Sequence, residues 1–341
     1  MTKVRVAVLM GGRSSEHEVS ISSARSVMEA LDPARYDVQA IEIARDGRWQ
    51  LAPAHRDAVA AGETAGTLPI PTSGRAPEPL GSVDVVFPVL HGPFGEDGTV
   101  QGLLELADVA YVGAGVAASA VCMDKDLFKA VMRANGIPVT RSVGFRHTEQ
   151  DRVSNPFSYP VVVKPARLGS SVGITIVRSP DGFPAAVELA FRHDDKILVE
   201  DFVDGVEVEC SVLGNDAPIA SVPGEIVPLA SDWYDYSAKY DEGGMDLIIP
   251  PRVSDGAIER VQQLSIDAFI ASDCEGMARA DCFVTHDGDV LVNELNTIPG
   301  FTATSVYAKL FEASGIAYPE LLDRLIALAL ERYERRQKLE F

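Results

Sequence analysis

The sequence has few cysteines, little positive charge and no long hydrophobic run. Its four cysteines lack the spacing of a metal site or a redox motif, so we expect reduced core cysteines in a cytoplasmic protein. Lysine and arginine number 30 against 50 acidic residues, and the net charge of −20 argues against a nucleic acid or an anionic membrane as partner. The N-terminal apolar run, residues 4–10, contains Arg5 and ends at two glycines, which makes it too short for a signal peptide or a membrane span.

Two common nucleotide-binding signatures are also missing. The phosphate loop GxxxxGK[ST] is absent, because the lysine at position 164 precedes the nearby glycines, and no dinucleotide-binding fingerprint is present. The chain shows no internal repeat and no low-complexity tract. Its composition, 46% hydrophobic and 23% charged, is that of a globular protein, and 341 residues are enough for two or three domains.

Strands that end in glycine turns indicate an α/β protein. Residues 4–10 have the pattern of a buried strand that leads through a glycine pair into a helix, and residues 83–90 form a second such strand before the glycine turn of residues 91–98. Three further helices are expected, over residues 123–135, 183–193 and 318–338. Residues 44–82 are rich in Ala, Gly, Pro and Thr and predict an irregular insertion.

The most informative pattern lies in residues 279–296. The dipeptide Asp287-Gly288 stands between two apolar runs and predicts a β-hairpin with a two-residue loop. In this register His286 pairs with Asp289. A one-residue bulge in either strand would break the register.

The same register brings two carboxylates face to face. Asp281 lies opposite Glu294 and Arg279 lies opposite Asn296, all on one face, because side chains alternate along a strand. Like charges directly opposite each other destabilise a sheet, so a positive group is expected between the two carboxylates. With the amide oxygen of Asn296 beside them, a hard cation such as Mg²⁺ is the natural occupant. The alternative is a solvated polar face that tolerates two acids.

A lysine and a glycine-serine loop form a second candidate site. The apolar strand of residues 161–163 delivers Lys164, and the backbone amides and hydroxyls of the loop 169–173 could cradle phosphate oxygens. Each feature has a plainer alternative. The loop could be an ordinary Gly/Ser turn, Lys125 a surface lysine, and the strand–break–strand segment 197–207 a solvated sheet edge rather than an adenine and ribose site.

Together these segments resemble the D-alanine–D-alanine ligase family of the ATP-grasp superfamily. The resemblance rests on five segments in the same order, residues 11–20, 91–98, 164–173, 234–240 and 293–305. It implies a three-domain α/β ATP-grasp architecture, with an N-terminal open α/β sheet, a small central α+β domain and a C-terminal α+β domain. The implied domain bounds are residues 1–113, 114–200 and 201–341.

The resemblance implies an enzyme that joins two D-alanine molecules to D-alanyl-D-alanine for peptidoglycan precursor synthesis. ATP would be consumed as a substrate through an acyl-phosphate intermediate, with two Mg²⁺ or Mn²⁺ ions, and the enzyme would be a cytoplasmic homodimer with no nucleic-acid or membrane partner. One alternative is a D-alanine–D-lactate ligase of the same fold, against which the pair Lys239-Tyr240 argues. Another is a catalytically silent nucleotide-binding regulatory protein, against which the complete set of metal carboxylates and phosphate lysines argues.

The resemblance also implies a role for each site residue. The nucleotide would be bound by Lys125, Lys164, Ser170, Ser171, Glu200, Val203 and Glu207, and the metal ions by Asp281, Glu294 and Asn296. The first D-alanine would meet Glu16 and His91, the oxyanion Arg279 and Gly300, and the second D-alanine Lys239, Ser305 and Val306. Tyr240 would join Glu16 and Ser170 in a hydrogen-bonded triad that closes the loop of residues 231–250 over the site.

Overall fold

A computed structural model describes residues 2–51, 65–67, 83–229 and 244–340 of the chain. In these ranges the strands form three sheets that follow one another along the sequence. None of the helices in the same ranges is long and apolar enough to cross a membrane.

The N-terminal third forms the first sheet. Its strands are β1 (Val4–Gly11), β2 (Tyr36–Ile43), β3 (Trp49–Leu51), β4 (Ala65–Thr67), β5 (Val85–Pro88) and β6 (Ala110–Tyr111), in the spatial order β4-β3-β2-β1-β5-β6. Helices α1 (His17–Ala30) and α2 (Thr99–Leu106) follow β1 and β5. Strands β2, β1, β5 and β6 are parallel to one another. The central strand β1 is almost wholly apolar and buried, because a parallel sheet is covered on both faces.

The predicted irregular insertion is wrong in part. Strands β3 and β4 pair antiparallel at the edge of the first sheet, so residues 49–51 and 65–67 extend it. Residues 44–48 form the turn that leads into β3, and residues 52–64 and 68–82 of that prediction lie outside the described residues. Short edge strands of mixed composition carry little periodicity, which is why the sequence pattern did not indicate them.

The second sheet is small and antiparallel. Helices α3 (Val116–Met123) and α4 (Lys125–Ala134) lead into β7 (Ser142–Arg146), β8 (Val161–Pro165), β9 (Thr175–Val177), helix α5 (Phe183–Phe191) and β10 (Lys196–Asp201). The strand order is β7-β10-β8-β9. Valines of β8 and β10 pack with alanines of α5 in one buried cluster, which leaves the other face of the sheet for Lys164 and Glu200.

The third sheet carries the hairpin. Its strands are β11 (Gly205–Gly214), β12 (Ile219–Ala220), β13 (Gly224–Pro228), β14 (Met245–Ile248), β15 (Gly276–Thr285) and β16 (Val290–Asn296), in the order β14-β13-β11-β15-β16 with β12 paired to β11. Helix α6 (Asp255–Ala271) packs on one face through a shared apolar cluster, so the polar side chains of β11, β15 and β16 lie on the other. Helices α7 (Val306–Ala313) and α8 (Tyr318–Arg336) end the chain.

The segment after β16 enters the core of the first sheet. Phe301 is 1% exposed, and its ring centroid lies 5.4 Å from that of Phe87 on β5 and 5.5 Å from that of Tyr307 on α7. Apolar residues of α8, Leu322 and Leu325 among them, belong to the same cluster. The loop that carries Gly300 is therefore held against the N-terminal sheet by aromatic packing.

Candidate active site

The hairpin loop is longer than predicted. The Thr285 amide donates to the carbonyl of Asp289 at 2.9 Å, so three residues, from His286 to Gly288, form the turn. The predicted two-residue loop and its pair between His286 and Asp289 are wrong. Gly288, with φ of 88°, takes the left-handed position that a three-residue hairpin reserves for glycine.

A bulge then restores the predicted pairing of the charged residues. The register shifts by one residue next to Asp281, where Asn293 is the extra residue of β16. Beyond this bulge Asp281 pairs with Glu294 and Arg279 with Asn296, as predicted. The additional loop residue and the bulge cancel, because each moves the register by one position in opposite senses.

Side chains supply the positive charge expected between the two carboxylates. Arg279 places Nε 2.7 Å from Oδ1 of Asp281 and Nη2 2.8 Å from Oδ2. Lys125 places Nζ 3.2 Å from Oε2 of Glu294. Burial disfavours the Lys125 charge, but the carboxylate of Glu294 outweighs burial and raises the pKa of Lys125 above its ordinary value. In the ligand-free protein each carboxylate is therefore neutralised by its own cation.

A third carboxylate, Glu209, extends the row. Strand β11 pairs with β15 so that Glu209 lies opposite Asp281 and Ser211 opposite Arg279. Glu209 is fully buried, with Oε2 2.9 Å from Nε of Arg279. The sequence interpretation missed this residue, although period two along β11 places it on the same face as Glu207.

The acidic row can hold a metal only with help from a ligand. Within residues 2–51, 65–67, 83–229 and 244–340, no group of three or more His, Cys, Asp or Glu side chains could hold an ion by itself. Mg²⁺ is commonly bound through one or two carboxylates together with substrate phosphates. Asp281 and Glu294 provide the carboxylates, and Asn296, whose Nδ2 donates to Oδ2 of Asp281 at 3.0 Å, carries the amide oxygen, so these residues fit an ion that is shared with a polyphosphate.

A cavity of about 390 Å³ lies between the second and third sheets, next to Glu294. All seven predicted nucleotide residues line it, namely Lys125, Lys164, Ser170, Ser171, Glu200, Val203 and Glu207. The lining divides into charged groups, such as Lys125 and Lys164 beside Glu294 and Asn293 of the hairpin, and apolar groups such as Ile176, Phe202 and Ile226. This division suits a ligand with an aromatic part and an anionic part.

Buried charges form the back wall of the cavity. Lys164 Nζ lies 2.8 Å from Oε2 of Glu200, and Lys129 Nζ lies 3.2 Å from Oε1 of the same carboxylate. Burial would raise the pKa of Glu200, but the two lysines outweigh it and hold the pKa below its ordinary value. Burial lowers the pKa of Lys129 to about 8, against the opposite effect of Glu200. The sequence interpretation did not identify Lys129.

The glycine-serine loop reaches the N-terminal part of the chain. The hydroxyl of Ser170 donates to Oε1 of Glu16 at 2.5 Å, the contact expected between these residues. Ser170 and Ser171 have φ of 52° and 58°, a left-handed conformation that is uncommon outside glycine and often marks functional loops. Gly92 approaches Glu16 so closely that a Cβ atom there would lie 2.6 Å from Oε2. The other predicted partner, Tyr240, and its neighbour Lys239 lie outside the described residues.

His91 and Glu96 hold the loop after the hairpin from two sides. The ring Nδ1 of His91 lies 2.9 Å from the carbonyl oxygen of Ile298, and the amide of Ile298 donates to Glu96 at 3.1 Å. Glu96 also accepts from the amide of Gly92 at 2.6 Å. Burial, and next the charge of Glu16, raises the pKa of Glu96 to about 8, while burial lowers that of His91. Glu96 stands inside the motif at residues 91–98, but the sequence interpretation assigned it no role.

The remaining predicted residues lie beyond this loop. Gly300 packs against Ser305, because a Cβ on the glycine would lie 3.3 Å from the serine hydroxyl. Ser305 is the N-cap of α7, and its Oγ accepts from the amide of Thr302 at 3.0 Å. Val306, the first residue of α7, is buried.

Nearly the whole chain is similar to proteins of one known family. Residues 5–114 match the family described as D-ala D-ala ligase N-terminus, and residues 131–327 match D-ala D-ala ligase C-terminus. The D-alanine–D-alanine ligase of Chloroherpeton thalassium is 44% identical, over 99% of this chain and 99% of its own.

Two solved structures share the fold. The D-alanine-D-alanine ligase from Coxiella burnetii has a TM-score of 0.86 at 41% identity, covering 99% of this chain and 97% of that chain. VanG D-Ala:D-Ser ligase from Enterococcus faecalis has a TM-score of 0.86 at 36% identity, covering 96% and 100%.

Proposed function

The chain belongs to the D-alanine–D-alanine ligase family, with the ATP-grasp fold, and from this premise we propose that it joins two D-alanine molecules to D-alanyl-D-alanine. ATP phosphorylates the carboxylate of the first D-alanine, which releases ADP and leaves an acyl phosphate. The amine of the second D-alanine attacks the acyl carbon, and the tetrahedral intermediate loses inorganic phosphate to give the dipeptide for peptidoglycan synthesis. One ATP is consumed for each peptide bond.

The hydrogen bond between Ser170 and Glu16 carries the proposal. It joins the phosphate loop of the second sheet to the residue that receives the ammonium of the first D-alanine, across 154 positions of sequence. A substrate held by Glu16 has its carboxylate directed to the phosphate end of the cavity. Phosphoryl transfer depends mainly on such positioning and on neutralising charge, since it asks little covalent chemistry of the protein.

The nucleotide is assigned to the cavity between the second and third sheets. Lys125 and Lys164 bind the α- and β-phosphates, with the hydroxyls and amides of Ser170 and Ser171 around them. Glu200, which contacts Lys164, and the backbone of Val203 meet adenine, and Glu207 meets the ribose. The lining of the cavity by all of these residues supports the assignment.

Asp281, Glu294 and Asn296 would hold two Mg²⁺ or Mn²⁺ ions against the phosphates. The ions would neutralise phosphate charge and polarise the transferred group. Glu294 contacts Lys125 and would exchange that contact for an ion. Lys125 would then be able to bind a phosphate, so that metal and nucleotide binding would be parts of one rearrangement.

Arg279 and the amide of Gly300 are assigned to the oxyanion of the tetrahedral intermediate. Arg279 is held by Glu209 and Asp281 on the sheet face, and Gly300 is held by the buried Phe301 beside it. Donors that are fixed in place before the reaction stabilise a developing negative charge most effectively. His91 lines the first D-alanine subsite, where its contacts with Ser23 and Ile298 orient the ring.

Ser305, Val306 and Lys239 are assigned to the second D-alanine, and Tyr240 to closure of the loop over the site. The position of Ser305 at the start of α7 supports this assignment, because amides at a helix N-terminus favour a carboxylate. Closure of the loop of residues 231–250 would keep water from the acyl phosphate.

Phosphate release measured with ATP, Mg²⁺ and a panel of D-amino and D-hydroxy acids tests the function. We expect release to require D-alanine and the product to be D-alanyl-D-alanine. A depsipeptide formed with D-lactate would instead support the D-alanine–D-lactate ligase. A mixed dipeptide formed with D-serine would show that the second substrate is D-serine and not D-alanine. Nucleotide binding without phosphate release under any condition would support the silent regulatory protein.

Assembly, location and domain bounds belong to the same proposal. We infer a homodimer in the cytoplasm, with domains of residues 1–113, 114–200 and 201–341. The division of the strands into three successive sheets supports the bounds. Light scattering coupled to gel filtration tests the dimer, and a monomer mass near 36.6 kDa would contradict it.

A further inference from the structure

Lys129 is a buried cation that none of the assigned roles uses. It lies on α4 four residues after Lys125, but it is not among the residues that line the cavity, and its side chain is fully buried. Its Nζ lies 3.2 Å from Oε1 of Glu200. A lysine is rarely buried completely, because removing its charge from water is costly unless a partner compensates.

Glu200 lies between two lysines that differ in their access to the cavity. Lys164 contacts Oε2 at 2.8 Å and lines the cavity, whereas Lys129 contacts Oε1 from behind the wall. Only Lys164 can therefore exchange Glu200 for a ligand in the cavity. Lys129 has no such alternative, since no part of its side chain reaches solvent.

Nucleotide binding as proposed above changes the charge around Glu200. Lys164 moves from the carboxylate to a phosphate, and Glu200 must remain able to accept from the adenine amine. If Lys164 were the only cation near Glu200, its departure would leave the buried carboxylate of Glu200 unpaired. This cost would oppose the binding of Lys164 to a phosphate. Lys129 removes this cost, because it stays beside Glu200 when Lys164 leaves.

We propose that Lys129 is a positioning residue of the nucleotide site, which neutralises Glu200 from behind the cavity wall so that Lys164 can bind a phosphate. The inference rests on the proposed function, because it assigns the phosphates to Lys164. The proposed role differs from a purely structural one, in which the ion pair of Lys129 and Glu200 would only join α4 to β10. In that case loss of Lys129 would lower stability without distinguishing one ligand from another.

Calorimetric titration of Lys129→Met with ADP and with AMP, each with Mg²⁺, tests the proposal. Methionine keeps the length of the side chain and removes the charge, so Lys164 stays on Glu200. We expect ADP affinity to fall at least tenfold, equivalent to about 1.4 kcal/mol, and AMP affinity and the KM for D-alanine to stay within about twofold. The expected contrast arises because AMP lacks the second phosphate. Arg133→Met, an exposed cation one turn further along the same helix, is the matched control and should bind ADP as the wild type does.

Lys164→Met separates failure of the inference from failure of the proposed function. If Lys164→Met leaves ADP affinity unchanged, the assignment of the phosphates is wrong and the inference falls with it. If Lys164→Met weakens ADP but Lys129→Met does not, Lys129 has no part in nucleotide binding. Equal losses for ADP, AMP and D-alanine would show a general structural role and overturn the proposal. Lys129→Gln, which is also uncharged, takes the place of Lys129→Met in these comparisons if the methionine variant does not fold.

Discussion

Replacing Glu96 by glutamine should reverse its effect on stability between low and high pH. Burial and the nearby charge of Glu16 raise the pKa of Glu96 from 4.5 to about 8 in the folded protein. Because this pKa lies above the unfolded value, the folded state holds a proton that the unfolded state has lost. The stability associated with this proton is complete below pH 4.5 and is lost as the pH rises through 8.

The size of the effect follows from two opposing contributions. The interval from 4.5 to about 8 corresponds to at most about 5 kcal/mol. The Glu96 side chain is partly exposed to solvent, which reduces this to about 2 kcal/mol. Glutamine keeps one acceptor oxygen for the amides of Gly92 and Ile298, so one of these contacts is lost, at about 1 kcal/mol. Glu96→Gln should therefore be about 1 kcal/mol less stable than the wild type near pH 5 and about 1 kcal/mol more stable at pH 9.

Thermal unfolding of the ligand-free protein, followed by circular dichroism from pH 5 to 9, measures this reversal. The melting temperature of the variant should move from roughly 2 °C below the wild type to roughly 2 °C above it. Glu259→Gln, at an exposed position of α6, should show no such change across the series. A difference between Glu96→Gln and wild type that stays constant with pH would refute the reasoning, because a carboxyl with an ordinary pKa would not titrate in this range.

Three further predictions concern the proposed reaction. Glu16→Gln removes the charge that meets the first D-alanine but keeps a partner for Ser170, so steady-state kinetics should show a KM for this substrate ten- to a hundredfold higher, with ATP affinity unchanged. Glu294→Gln should nearly abolish turnover at limiting Mg²⁺, and wild-type turnover would contradict the metal assignment. The same variant should unfold with a free energy about 1–3 kcal/mol lower in the absence of ligands, because Lys125 loses its buried partner. Tyr240→Phe should weaken dipeptide synthesis and admit D-lactate as a substrate at lower pH. The products are analysed from pH 6 to 8, and an unchanged dipeptide-to-depsipeptide ratio would exclude a role of Tyr240 in substrate specificity.

The hairpin shows why part of the site could be predicted and part could not. The facing pair Asp281 and Glu294 was predicted correctly, although the loop length was wrong. Period-two alternation fixes which side chains share a face over long stretches, whereas loop length and bulges depend on local backbone geometry. The extra residue in the turn and the bulge at Asn293 compensate because the buried face of β15 and β16 tolerates only one register where the sheet packs on α6.

Several long periodic segments were predicted correctly, although the 17-residue helix α6 was not among the expected helices. The helices expected at residues 123–135, 183–193 and 318–338 are present as α4, α5 and α8 with slightly shorter bounds. Strands β3 and β4 were missed, because three residues carry too little pattern. The four cysteines are free and buried, as expected of core residues.

The missed site residues differ in whether the sequence could have revealed them. Glu209 shares the parity of Glu207 on β11, so alternation alone places it on the polar face. Glu96 lies in a motif that was recognised, but its contact with Ile298 depends on packing between the two ends of the chain. Lys129 follows Lys125 by four residues and has the pattern of a helix surface lysine. Its burial arises only when α4 packs beside β10, which no local pattern shows.

The charged side chains of the site neutralise one another, and this affects how ligands can bind. Lys125 pairs with Glu294, Lys164 with Glu200, and Arg279 with Asp281. A metal ion that approaches Glu294 alone must displace a buried lysine, and a phosphate that approaches that lysine alone must leave a buried carboxylate unpaired. Each step is unfavourable by itself, because it strands a charge in a poorly solvated site. If metal and nucleotide arrived together, Asp281 and Glu294 would pass to the ion and the two lysines to the phosphates. Arg279 would keep Glu209 and Glu200 would keep Lys129, so every charge would keep a partner. The ion pairs of the site would therefore couple metal binding to nucleotide binding.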